Sequence, residues 1–232
     1  VNRFQFAALL PFAALHASAA APAAPLVVLE LFTSESCSSC PPADDLLAEY
    51  ARTRPDVLPL AFHVDYWNAL SWRDRFSFPG ATERQRGYAA QLGAGVYTPQ
   101  LVAAGRFQAV GSDRDAVEAA IRQAKHNQEA SPALEINVAN GKVVVRVGQG
   151  TGRANVLLIG FDNLHSTRVR TGENGGRTIS EANVVRSLAN LGPWRGSTVS
   201  YTTPLPASDR AVALLQAPDG TILAARAINI VS

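Results

Sequence analysis

The feature that most constrains this chain is the apolar run Leu26-Val27-Val28-Leu29-Glu30-Leu31-Phe32, which stands just ahead of its only two cysteines. A continuous apolar run with one acid suits a strand buried on both faces. After a short polar loop come Cys37-Ser38-Ser39-Cys40 and then Pro41-Pro42. Paired prolines fit the first turn of a helix far better than its interior. The segment 43–54 follows, with Leu46, Leu47 and Tyr50 on one side and Asp44, Asp45 and Glu49 near its start. Acids there suit the positive end of a helix dipole. The chain therefore reads strand, loop, dithiol, helix, with Cys37 expected to cap the helix and Cys40 one turn in.

That placement has chemical consequences. Free backbone N–H groups and the dipole favour a thiolate at Cys37. Three-residue spacing brings the two sulfurs within disulfide reach. Cys40, the less exposed, would be the resolving thiol, and Ser38 and Ser39 can donate hydrogen bonds to the Cys37 sulfur. Three uses fit these residues: a catalytic dithiol, a static disulfide, or a Cu(I) or Zn(II) site built from both thiols and His63. Haem attachment is excluded, because Pro41 stands where a histidine must follow the second cysteine. Two cysteines cannot build a disulfide-rich scaffold or a four-cysteine zinc site, and the absence of methionine rules out a thioether copper site.

Composition narrows the class further. The chain has 232 residues, 47% hydrophobic and 17% charged, which is enough apolar material for a substantial core. A formal charge of +2 gives no reason to invoke nucleic acid. At the amino terminus Arg3, the apolar stretch 4–15 and the small-x-small sequence Ala17-Ser18-Ala19 predict a signal peptide over 1–19, cut before Ala20. A Pro/Ala linker over 20–25 follows. No later segment reads as a bilayer span, so the expectation is an exported protein without a membrane anchor, periplasmic or secreted.

Further along, 57–64 reads as a second strand and 81–92 as a helix stopped by glycines. The segment 96–102 reads as a strand entered through Thr98-Pro99, 107–110 as its hairpin partner and 116–125 as a helix. After Asn127 the character changes. Alternating segments at 134–138 and 143–147 flank the hairpin pair Asn140-Gly141. Strand-like runs recur at 156–161, 167–170, 197–202, 211–215 and 222–228, while 181–191 is ambiguous. The expected fold is an α/β domain over 26–127 followed by a small all-β, sandwich-like domain over 132–232.

Strand, Cys-x-x-Cys, helix, strand, then Thr-Pro before a hairpin and a last helix: over 26–126 this order resembles the thioredoxin superfamily. Four motifs narrow the resemblance: Leu-Phe-Thr-Ser-x-x-Cys-Ser-Ser-Cys-Pro-Pro-Ala-Asp (31–44), His-Val-Asp-Tyr-Trp (63–67), Val-Tyr-Thr-Pro-Gln (96–100) and Gly-Glu-Asn-Gly-Gly-Arg (172–177). Together they are similar to a bacterial exported family of unknown function with a thioredoxin-like domain. The resemblance implies a cis proline at Pro99, with the backbone of Thr98 placed to pair with an extended substrate. It also implies that the strand acid, Glu30, moves protons for the inner thiol; the residue itself reads equally as an acid at a strand edge or in an ion pair. The dipeptide Ser38-Ser39 replaces the Gly-Pro of the best-known thioredoxins, so the redox direction does not carry over.

Other residues join the candidate site. His63 and Asp65 stand two apart at the end of the second strand, so His63 either assists the cysteines while Asp65 orients it or is a core histidine with a satisfied hydrogen bond. Tyr66, Trp67, Trp72, Phe76 and Phe78 cluster with Arg73 and Arg75; they form either an apolar lip for a substrate chain, with Trp67 and Trp72 in contact, or a packed loop. Arg168, Arg170, Arg177, Arg186 and Arg195 form either an anion-binding patch or a solvated basic face. The expectation is an exported thiol–disulfide oxidoreductase that needs no cofactor. It would act on protein or peptide thiols and disulfides and depend on a separate redox partner.

Overall fold

Every residue of β1 (Val27–Thr33) is buried, and the strand lies near the middle of the main sheet. The computed structural model describes residues 26–128 and 130–230; the expected signal peptide and linker lie outside them. Helix α1 (Pro41–Thr53) leads to β2 (Val57–His63), which pairs with β1 in parallel from Val27↔Val57 to Thr33↔His63. A 3-10 turn at Tyr66–Ala69 precedes α2 (Pro79–Leu92). Strand β3 (Gln100–Ala103) runs antiparallel to β1 and forms a hairpin with β4 (Phe107–Val110), and α3 (Arg114–His126) follows. Asp113 caps α3 by accepting from the Ala116 N–H.

The second half is all β. Strands β5 (Leu134–Ala139) and β6 (Lys142–Val147) turn at Asn140 and Gly141, both at positive φ, as the Asn-Gly pair predicts. Strands β7 (Ala154–Arg168) and β8 (Thr178–Trp194) form one long hairpin, so the ambiguous segment 181–191 is strand. Strands β9 (Val199–Pro204), β10 (Arg210–Gln216) and β11 (Ile222–Asn229) complete the chain.

Two sheets result. The main one has the order β11-β10-β7-β8-β2-β1-β3-β4, and the small antiparallel one is β5-β6-β9. The second half is the sandwich-like unit the sequence predicts, with β5 and β6 packing Leu134, Ile136, Val143 and Val145 onto Val156, Leu158 and Ala213 of the main sheet. One of its layers is a continuation of the first half's sheet. Strand β8 lies parallel to β2 at Ala61↔Val184, and the Asn183 side chain donates to the Pro59 carbonyl at 2.7 Å.

The faces of the central strands sort the core. Leu29 and Leu31 point toward α1 and α3, packing with Leu47, Tyr50, Val117 and Ile121. Val28 and Phe32 point the other way, toward Tyr88 of α2 and toward Ile159 and Phe161 of β7. This parity decides which side chains can reach the cysteines.

Candidate functional site

Helix α1 begins at Pro41, so its N-cap is Cys40, and Cys37 lies in the turn before it, with the Cys40 N–H donating to the Cys37 carbonyl. This corrects the expectation that Cys37 caps the helix. Neither Pro41 nor Pro42 has an N–H, which holds both in the first turn and sets the cap one residue ahead of them. The cysteines form a disulfide, and both are buried, Cys37 at 1% and Cys40 at 0% exposure, while Ser38 and Ser39 are exposed.

Two hydroxyls lie against the outer sulfur. The Thr98 hydroxyl donates to Cys37 Sγ at 3.3 Å, and the Ser39 hydroxyl lies 3.4 Å from the same atom. Thr98 is itself fixed by the Trp67 indole N–H at 2.9 Å. The Thr98–Pro99 peptide bond is cis, and Pro99 is buried against the turn at Gly111. The predicted residues Cys37, Cys40, Thr98, Pro99 and Trp67 therefore meet in one place.

Two side chains that the sequence did not single out come from the tip of the β7–β8 hairpin. Asn174, buried, donates to the carbonyls of Glu35 at 3.0 Å and Cys37 at 2.9 Å. Glu173, exposed, accepts from the Ser38 N–H at 3.1 Å. Both lie in the Gly-Glu-Asn-Gly-Gly-Arg motif, whose role sequence spacing alone could not reveal. The tip also closes on the aromatic loop, where the Thr171 hydroxyl donates to the Ser71 carbonyl at 2.6 Å.

Beneath the disulfide lies a buried set of ionisable groups. His63 Nδ1 is 2.7 Å from Asp74 Oδ2, and its Nε2 is 3.6 Å from Glu181 Oε1, with all three side chains fully buried. Asp74 also accepts from the N–H groups of Glu35 and Phe76. Asp65 instead meets Thr82, accepting its hydroxyl at 2.5 Å, so the expected His63–Asp65 pair is corrected to His63–Asp74. The chain bends into the 3-10 turn directly after Asp65, so the two-residue strand parity stops there. Asp44, one helical turn beyond Cys40, accepts from the Thr33 hydroxyl at 2.8 Å.

The electrostatics follow from burial. Desolvation pushes the Asp44 carboxyl up to about 7, although His63 and Thr33 pull it down. Desolvation likewise raises Glu181 to about 8, with His63 opposing and Asp44 and Asp74 adding to the rise. Burial alone would favour neutral imidazole at His63, but the charges of Asp74 and Glu181 outweigh it and hold the ring up at about 10. Asp74 also feels the desolvation penalty, yet His63 and two backbone N–H groups keep it below the usual carboxylate range. The site thus holds protons on carboxyls close to neutrality, beside a buried cation.

Glu30 is elsewhere. It shares the β1 face of Val28 and Phe32, bonded to Arg84 Nε at 2.6 Å and to the Tyr88 hydroxyl. Asp44 and the disulfide lie with α1 on the opposite face, so the expected proton role of Glu30 is corrected: a layer of sheet separates it from Cys40. The one-residue parity of a strand produces the difference. Trp72 donates from its indole to Glu35 Oε2 at 2.7 Å, and its carbonyl accepts from the Ser36 hydroxyl at 2.8 Å. Phe76 is buried, 4.5 Å from the His165 ring, and Tyr66, Trp67 and Phe78 pack against the core beside α2, so most of the aromatic loop is packed cover.

A parallel β-α-β start, a cis proline and a Cys-x-x-Cys disulfide at a helix N-terminus define a thioredoxin-like protein. The sequence profile of DUF1223, described as a protein of unknown function, matches residues 28–216, and the chain belongs to that family. The crystal structure of protein AGR_C_4864 from Agrobacterium tumefaciens is 32% identical, with a TM-score of 0.77 over 90% of this chain and 96% of that one. HBP35 of Porphyromonas gingivalis, at 14% identity, is similar in fold, with a TM-score of 0.59 over 88% of this chain and 75% of that one. A search of curated protein sequences returned no significant match.

Proposed function

We propose that this protein is an exported thiol–disulfide oxidoreductase. The observation that carries the reading is the Thr98 hydroxyl at 3.3 Å from the sulfur of Cys37 in a Cys37–Cys40 disulfide at a helix N-terminus, with a buried carboxyl, Asp44, one helical turn beyond Cys40 and raised by burial to about 7. A staple serves stability poorly at this spacing. Closing so short a loop contributes about 2 kcal/mol by chain entropy, against about 4.7 for a hundred-residue loop.

In the reducing direction the Cys37 thiolate attacks a substrate disulfide. The substrate S–S bond breaks, one substrate sulfur leaves as a thiolate and takes a proton, and a mixed disulfide to Cys37 forms. Cys40 then gives its proton to Asp44 and attacks the Cys37 sulfur. The mixed disulfide breaks, the second substrate thiol leaves, and two electrons have passed from the cysteine pair to the substrate. A dithiol redox partner restores the reduced pair. The oxidising direction is the same sequence reversed. Thr98, Pro99 and Trp67 hold the outer sulfur and its surroundings in place.

Export rests on the amino-terminal sequence, and among the described residues no helix is long and apolar enough to cross a membrane. A glutathione or dithiothreitol redox series with free thiols counted by mass spectrometry tests the function. A reversible two-electron transition is expected, and its midpoint gives the direction: near about −120 mV an oxidant, near about −270 mV a reductant. Cys37→Ser abolishes turnover and Cys40→Ser accumulates mixed disulfides. A folded protein whose disulfide resists the whole series overturns the reading.

A further inference from the structure

The arginines that scatter through the sequence divide into two groups in the fold. Arg186 pairs with Asp162 at 2.8 Å, Arg177 donates to Asn174 Oδ1, and Arg195 follows Trp194 at the far end of the β7–β8 hairpin. Arg168 and Arg170, in contrast, meet Arg73 and Arg75 around an open groove of about 450 Å³ that Trp72 also lines. All four are exposed, and among the described residues none is in an ion pair. Acids on the adjoining segments are turned elsewhere: Asp74 to His63, Glu35 to the Trp72 indole, Asp162 to Arg186 and His165, and Glu173 to the Ser38 N–H.

Four like charges around one groove repel one another, and a protein surface that only needs solubility intersperses both signs. The arrangement is also ordered. Burial alternates along Arg73-Asp74-Arg75-Phe76 and along Thr167-Arg168-Val169-Arg170, so each pair of arginines faces outward two residues apart. Arg168 ends β7 and Val169 still exchanges backbone hydrogen bonds with Arg177 and Gly176, so Arg168 and Arg170 stand about 6.6 Å apart on extended chain, the spacing of alternate side chains in an extended peptide, while Arg73 and Arg75 stand on the loop ahead of α2. Guanidinium groups bind carboxylates with paired N–H donors.

We propose that this groove binds an extended acidic segment of the substrate polypeptide, with aspartate or glutamate at alternate positions. The proposal rests on the oxidoreductase reading for the word substrate alone. Trp72, which lines the groove, also joins it to the Cys37 loop, since its carbonyl accepts from the hydroxyl of Ser36 beside Cys37. A chain seated on the four arginines leads toward the Cys37 loop, so acidic sequence near a cysteine selects the protein to be oxidised or reduced.

Binding of a fluorescein-labelled, thiol-free (Ser-Glu)5 peptide, followed by anisotropy, tests this, with (Ser-Ala)5 and (Ser-Lys)5 as controls. The acidic peptide binds at least 10-fold more tightly than either control at low salt, and the affinity falls as salt is raised. Arg73→Gln/Arg168→Gln/Arg170→Gln removes the preference. Arg75, which packs on the Phe76 ring and donates to Thr167, is left in place so that the fold is kept, and an unchanged thermal unfolding midpoint verifies it. Should that variant not fold, Arg73→Glu/Arg170→Glu is used, and it shifts the preference toward the lysine peptide. Cys37→Ser/Cys40→Ser binds the acidic peptide as the wild type does, which separates this proposal from the redox reading. Equal binding of acidic and neutral peptides, an unchanged preference in a folded arginine variant, full displacement by millimolar inorganic phosphate, or tighter binding to anionic lipid vesicles than to the peptide each overturns it.

Discussion

The side-chain amide of Asn174 donates to the main-chain carbonyl of Cys37, so the tip of a hairpin from the second half of the chain holds the turn that carries the outer cysteine. The same amide takes the Glu35 carbonyl, and Glu173 beside it takes the Ser38 N–H. With Cys37 at 1% exposure, a reagent reaches its sulfur only when part of this cover moves. The second half therefore bears on access to the dithiol as well as on packing.

Removing that hold has two measurable effects. Asn174→Ala leaves the Glu35 carbonyl without its side-chain donor and the Cys37 carbonyl with the Cys40 N–H alone, which costs about 2 kcal/mol of stability. It also loosens the turn, so dithiothreitol reduces the disulfide several-fold faster in the variant. Stopped-flow reduction and chemical denaturation read the two effects separately. A variant destabilised by this amount but reduced at the wild-type rate shows that the tip does not limit access.

Asp44 is testable through its own titration. On the proposed mechanism the carboxylate form accepts the Cys40 proton, so resolution of a preformed mixed disulfide at Cys37 speeds up as pH rises through about 7. In Asp44→Asn that inflection disappears, and the rate at pH 7.5 falls by about 100-fold. The Thr33 hydroxyl can donate to the asparagine oxygen as it does to Asp44, which favours retention of the fold. An unchanged pH profile assigns the proton to another group.

Much of this site was legible in the residues, and the remainder was hidden for physical reasons. The strand over 27–33, the Cys-x-x-Cys turn, the prolines at 41, 42 and 99 and the Asn140-Gly141 hairpin are local signals, and they placed the disulfide beside Thr98 and Pro99. Asp44 looked like an ordinary helix-dipole acid, because its burial depends on β1 and β8 arriving from elsewhere in the chain. Asp74 lay unmarked in an aromatic loop. Glu181 opened the ambiguous segment, because β8 changes surroundings along its length, from β2 on one side to the sandwich at its far end. The misplaced roles of Glu30 and Asp65 have separate causes: for Glu30 the sequence shows which residues alternate but not which face meets α1, and for Asp65 the strand has already ended where the chain bends into the 3-10 turn.

The Glu30–Arg84 pair gives a prediction that separates structure from chemistry. Arg84 is almost wholly buried, held by Glu30, Tyr88 and Gln216. Glu30→Gln leaves a buried guanidinium without its counter-charge and costs about 3–5 kcal/mol. The reduction potential and the pH profile of mixed-disulfide resolution stay at wild-type values, since the sheet separates this pair from the cysteines. A pH profile altered along with stability would restore Glu30 to the proton path.

The buried cluster under the disulfide also sets how stability depends on pH. Asp44 and Glu181 have folded values raised by burial, to about 7 and about 8, above their ordinary values of 3.8 and 4.5. Below about pH 4 each is protonated whether folded or not. As pH rises, the unfolded chain ionises first, so stability is lost until the folded carboxyls ionise too. His63 acts in the same sense: its folded value is raised to about 10, so its contribution is complete below 6.5 and is lost as pH climbs to about 10. Asp74, lowered in the fold, acts oppositely, but its contribution is already gained in the acid range, around and below its ordinary 3.8. The thermal midpoint therefore falls between about pH 5.5 and pH 9, by about 2–4 °C for each kcal/mol lost. In Glu181→Gln, which cannot ionise, the fall is shallower over pH 6–8. A midpoint that rises with pH across this range, or a Glu181→Gln curve parallel to that of the wild type, contradicts the burial-driven protonation on which the proton step at Asp44 also depends.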